Sequence, residues 1–333
     1  MMKLSKLFCT ILVCGLILMA CSSANQPSEP PAGESNATEA PALEPGATEA
    51  LALEPGATEP AVPQPGTGAA VQHTDVPASP SASGGERWGD YSTVSSQSAG
   101  RALIGDRFSE GKFERPYNAN TMDVYFPQLD IDHAVFNPED PVWVYVVMSM
   151  VGRDANNSFA GQYAVELDLD QYGHGDFLIL VDHPASTDWT TQGVWVYADS
   201  NVDVGGQRAV LEDSVGAGSN GFETVLFDQG AGADADLAWV RLDPIDPNSF
   251  QIAFKQSLLG GEKTYTAGFW AGTQLDAALF DFNDHLTHDQ AGAADPELVN
   301  FYPIKGLSEL DNTCRQAVGF DPSGVEPGIC PVQ

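Results

Sequence analysis

The stretch from Tyr163 to His183, YAVELDLDQYGHGDFLILVDH, carries two different patterns in one breath. From Tyr163 to Leu169 apolar and acidic residues alternate, so that Val165, Leu167 and Leu169 share one face of an extended chain and Glu166, Asp168 and Asp170 the other. After a turn, Phe177 to Val181 reads as a second, continuously apolar strand. Between them, Asp168-x-Asp170-x-x-Gly173-x-Gly175-Asp176 sets carboxylates at the first, third and ninth places of a turn with glycine at the sixth. Hard cations such as calcium take such oxygen ligands, and the glycine permits the sharp bend. The stretch therefore predicts a β-hairpin with an acidic, metal-capable turn.

The turn resembles the calcium loops of dockerins, thrombospondin type 3 repeats and EF-hands, and departs from them at two places. Tyr172 stands where a third Asp or Asn is usual, and Ile179 where an EF-hand has its bidentate Glu, which excludes an EF-hand. The plainer reading of the same residues is a solvated hairpin whose polar face is acidic. Two further stretches repeat the theme: Asp199-Ser-Asn201-Val-Asp203 ending in paired glycines, and Asp228 to Asp236 with Asp234 between. Calcium wants six to eight oxygens, more than one such turn supplies, so either two turns converge on an ion or waters complete its shell; the plainer reading is a solvated turn built from the usual Asp, Asn and Gly.

The N-terminal segment speaks of export. Met1 to Ala20 has Lys3 and Lys6 ahead of an apolar run to Met19, too short for a permanent span and typical of a signal peptide. Leu18-Met19-Ala20-Cys21 resembles the bacterial lipobox, which implies cleavage before Cys21 and lipid on its sulfur, and Ser22 and Ser23, where an inner-membrane retention signal would carry Asp, favour anchorage at the cell surface or outer membrane. Cys9 and Cys14 leave with the signal peptide, so Cys314 and Cys330 remain, and an even pair in an exported chain is expected to form a disulfide that staples the C-terminal tail.

Residues 21–86 are expected to form a disordered tether: 11 of the chain's 23 Pro lie between Pro27 and Pro80, and Ala42 to Ala50 is nearly repeated at Ala52 to Pro60. Extended Pro-rich chain of that length reaches on the order of 100 Å. Residues 87–333 carry the folded domain. The chain's net charge of −32 excludes nucleic acid and other polyanions as partners and invites divalent cations.

Val-, Phe-, Tyr- and Trp-rich runs recur at Thr121–Phe126, Val142–Val151, Gly193–Tyr197, Phe222–Phe227, Ala238–Leu242, Phe250–Phe254 and Thr264–Trp270, separated by Gly, Asp, Asn and Pro. Short helices are expected near Asp284–Gln290 and Gly306–Asn312. Many short strands without crossover helices predict an all-β fold, an antiparallel β-sandwich or jelly roll.

Trp195 and Tyr197, two apart, share a strand face and could form a small platform, while Trp189, in the polar stretch Thr187 to Thr191, is the ring expected to be exposed. Aromatic rings suit the apolar faces of sugars, although they more often fill a core. The pattern from Asp123 to Gly272 resembles carbohydrate-binding and DOMON-type β-sandwich modules, which implies a glycan partner. No Gly-x-Ser-x-Gly, His-Glu-x-x-His or phosphate-loop motif is present. The expectation is a surface lipoprotein presenting a calcium-stabilised sandwich that binds carbohydrate. An adhesive protein that binds other proteins and a carboxylate-pair glycosidase stay open.

Overall fold

Alternation in the sequence becomes two packed sheets in the computed structural model, which describes residues 71–78, 85–90, 92, 94, 114–118, 124–202, 204, 210–211, 221–279, 285–286 and 309–330. The signal peptide, Cys21, Asp203 and most of the tether lie outside these residues. In chain order the strands are β1 (Glu86–Gly89), β2 (Glu114–Arg115), β3 (Ile131–Asn137), β4 (Trp143–Met150), β5 (Gln162–Asp168), β6 (Phe177–Asp182), β7 (Val194–Ala198) and β8 (Val210–Leu211), then β9 (Thr224–Asp228), β10 (Ala231–Gly232), β11 (Ala238–Leu242), β12 (Ser249–Lys255), β13 (Tyr265–Gly272), β14 (His285–Leu286), β15 (Leu310–Asn312) and β16 (Gln316–Val318).

Five strands form one antiparallel sheet in the order β1-β3-β4-β12-β11, and nine form the other, β10-β9-β7-β6-β5-β13-β15-β2 with β16 also on β13. β15 and β16 share one edge of β13, and between them Thr313 keeps the ladder closed: its N–H donates to Phe269 O and its hydroxyl accepts from Phe269 N–H. The short pair β8–β14 is parallel.

The inward faces meet in one apolar core. Phe136, Val146, Met148, Phe250, Ile252 and Phe254 come from the smaller sheet; Val165, Leu167, Ile179, Val196, Phe227 and Phe269 come from the larger. Trp88 seals the β1 edge, stacked on Phe136 at 5.0 Å. Each fully buried aromatic or branched side chain contributes roughly 1.5–3 kcal/mol against exposure, which is why the period-two pattern settles the register.

Both outer faces are also covered. On the larger sheet, Ala164, Leu178, Leu180 and Trp270 pack under Val204, Phe222, Leu275, Ala277 and Leu310. On the smaller, Trp143, Tyr145, Trp239 and Ala253 form a third apolar group, and Val71–Ala78, which composition assigns to the tether, lies on it through His73 against Trp239 and Ala78 against Tyr145.

Some expected elements differ. Of Thr121–Phe126, only the last three residues are described, and Tyr125 makes an isolated bridge to Tyr117 rather than a strand. Where short helices were expected, His285–Leu286 and Leu310–Asn312 are strands; the helical turns of the described residues include the 3-10 turns Gln256–Leu259 and Ala277–Leu279. Backbone pairing with partners distant in sequence overrides weak local helical preference.

Candidate metal centre and aromatic cleft

The β5–β6 turn is built by its own carboxylates. Asp168, the last residue of β5, accepts the N–H of Gln171 on Oδ1 at 2.6 Å and that of Gly173 on Oδ2 at 2.8 Å. Asp170 accepts the N–H of Tyr172 at 3.0 Å and Asp176 that of Leu169 at 2.6 Å. Gln171 and Gly173 sit at φ 65° and 89°, the left-handed region that glycine adopts without strain. The result gathers Asp168, Asp170 and Asp176 so that one oxygen of each lies within 4.8 Å of the others. Asp168 is buried, Asp176 half-buried and Asp170 exposed.

Burial raises the Asp168 carboxyl to about 6, against the opposing pull of Arg315 and the two N–H donors. Burial likewise raises Asp176, with Asp170 and Asp199 adding repulsion. Three carboxylates without imidazole or thiolate suit a hard cation such as calcium. The expected turn is formed, and its acids could hold a metal ion.

A solvated acidic face is not what forms beside it. Glu166 and Asp168 are each 1% exposed, because the tail between Cys314 and Cys330 folds over them. Arg315 donates to Glu166 Oε1 and, at 2.8 Å, to Gly173 O, and its Nη1 lies 3.9 Å from Asp168 Oδ2. Trp270 Nε1 donates to the other oxygen of Glu166 at 2.8 Å. The main chain of Arg315 is itself held by Gly328 O and Cys330 N–H, and the disulfide closes the loop with Cα atoms 5.0 Å apart. Pro327 packs so tightly on Gly173 that a Cβ there would lie 2.4 Å from its own Cβ. Sequence reasoning missed Arg315; the available signal was that it is the one Lys or Arg after Lys305 and follows Cys314 directly.

The second acidic loop lies against the first. Asp199 N–H donates to Asp176 O, and Gly175 N–H to Val204 O. Both Asp199 oxygens close its own turn, on the N–H groups of Asn201, Val202 and Val204, and Asn201 is exposed. The third loop is separate. Asp228 is exposed at the end of β9, Asp234 pairs with Lys255 at 2.8 Å, and Asp236 is buried against Val71–Ala78. There the cations and donors come from the protein itself.

Trp189, expected to be the exposed ring, is half-buried: it packs beside Tyr145 and under the Arg241 guanidinium, 4.5 Å from the ring centroid. Trp195 and Tyr197 are side by side on the outer face of β7, partly buried at the margin of the Leu180 and Phe222 cluster. They line an open cleft of about 590 Å³ with Gln162, Glu223, Gln274 and Asp276. Gln162 is oriented by the N–H of Leu275 at 2.6 Å, and Glu223 Oε1 by Ser200. Glu223 Oε2 is buried without a donor among the described residues.

The molecule is thus a two-sheet antiparallel β-sandwich with a partly buried acidic triad, and its disulfide fits an oxidising compartment. Comparison of the chain with protein-family models, with curated proteins and with solved structures returned no match.

Proposed function

We propose that the protein is an exported, lipid-anchored binding protein whose sandwich, supported by calcium at Asp168, Asp170 and Asp176, captures carbohydrate in the cleft on β7. The observation that carries this reading is the pair Trp195 and Tyr197 flanked by two amides and two carboxylates. Half-exposed rings take the C–H face of a pyranose, while amide and carboxylate groups take hydroxyls, the usual division of labour in a small-molecule site. Among the described residues the cleft lining contains no Lys or Arg, so neutral or basic sugars suit it and uronates do not. Calcium would act by fixing the β5–β6 turn, whose Gly175 lies against Phe222 of the cleft lining.

A glycan array probed with the full chain tests the reading. Neutral oligosaccharides are expected to bind, polyuronates to fail, and Trp195→Ala to weaken binding about tenfold or more; no neutral or basic glycan bound above background overturns it. Glu223 and Asp276 both line the cleft, which favours a carboxylate-pair hydrolase as the second reading. Release of reducing ends from a bound polymer, lost in Glu223→Gln, would establish that reading, and retention of the polymer uncut excludes it.

A further inference from the structure

Val71–Ala78 lies on the outer face of the five-stranded sheet, meeting β11 at Trp239, β12 at Lys255 and β4 at Tyr145, while β1 forms the far edge of that sheet. Asp236, 2% exposed, accepts the N–H groups of Thr74 and Asp75 at 2.8 and 2.9 Å and the Thr74 hydroxyl at 3.1 Å. Its other oxygen is 2.6 Å from His73 Nδ1, and the His73 ring lies 4.6 Å from Trp239. Lys255 bridges Asp75 and Asp234, and Ala78 N–H donates to the Tyr145 hydroxyl at 3.1 Å. One buried carboxylate that takes two consecutive main-chain donors recognises an extended backbone, and the Lys–Asp pair adds a side-chain check.

We propose that this face is a docking groove for the chain's own Val71–Ala78, and that the docked segment takes up tension arriving from its N-terminal side. Without the clamp, tension on the N-terminal segment would act on β1, a four-residue edge strand paired only with β3 among the described residues, and would peel it. With the clamp, tension meets Asp236 and Lys255 first and loads their bonds together.

Hydrogen exchange on the full chain tests the clamp without any sugar, so its failure is distinct from failure of the cleft reading. Thr74 and Asp75 amides are expected to exchange at least tenfold slower than unprotected chain, and to lose that protection in Asp236→Asn while β4 and β12 amides keep theirs. Asp75→Ala, on the docked segment and outside the sheets, is expected to speed Thr74 and Asp75 several-fold with an unchanged fold. Pulled from its N-terminus, Asp236→Asn is expected to release β1 at lower force than wild type. Unprotected Thr74 and Asp75 amides in the wild type, or equal release forces, would overturn the proposal.

Discussion

At the scale of single residues, the chemistry of a carboxylate explains both what the sequence revealed and what it concealed. An Asp in a Gly-rich turn accepts N–H groups as readily as it ligates a cation, so the three acidic stretches looked alike. Only contacts between residues far apart in sequence separate them: Asp236 holds Thr74 and Asp75, Asp199 holds its own turn, and Asp168, Asp170 and Asp176 converge. Because Asn can still accept the Tyr172 N–H that Asp170 accepts, Asp170→Asn should leave the fold intact and weaken calcium binding about tenfold or more by calorimetry. An unchanged affinity would remove Asp170 from the site. A second residue-scale prediction concerns pH. The Asp168 carboxyl, raised to about 6 in the folded chain from an ordinary 3.8, keeps its proton where the unfolded chain has lost it. Its contribution to stability is full below about pH 4 and disappears as pH rises through 6. Melts in chelator should show that decline and Asp168→Asn should flatten it, whereas saturating calcium, which binds the ionised form, should raise the midpoint most at the upper end. Asp236 acts in a separate window: burial alone would raise it, but N–H donors from Asp75 and Thr74 hold it at about 2, so its contribution is lost as pH falls from about 4 to 2.

At the scale of elements, the hairpin β5–β6 was legible because alternation, glycine and a continuous apolar strand all agree. β3 was not, since Asp132 and His133 interrupt its pattern where the register shifts against β4, and β15 and β16 are too short to signal. The burial of Glu166 was also illegible, as its partner Arg315 arrives from the C-terminal tail. The half-burial of Trp189 was illegible for a similar reason: its polar neighbours suggest exposure, but Arg241 from β11 stacks on it. The tail thus works as a lid on the acidic turn. Replacing Cys314 and Cys330 by Ser should cost roughly 3 kcal/mol. Beyond that loss, it should speed exchange of the Gln171 and Gly173 amides selectively, since Arg315 and Pro327 are held by the same loop. Uniform acceleration across both sheets would show that the lid has no local effect on the turn.

At the scale of the whole molecule, the two outer faces differ: one lies under the chain's own Val71–Ala78, and the other opens as a cleft beside β7. Fold class, disulfide and the acidic turn could be read from the sequence; the cleft could be read only as two aromatics two residues apart, because Glu223, Gln274 and Asp276 reach it from loops. The most direct test is the indole N–H resonance of Trp195, identified by its loss in Trp195→Phe, followed as neutral oligosaccharide is added to the full chain. The account predicts that this resonance shifts and saturates while that of buried Trp88 stays fixed. A Trp195 signal that does not move at millimolar sugar would contradict it.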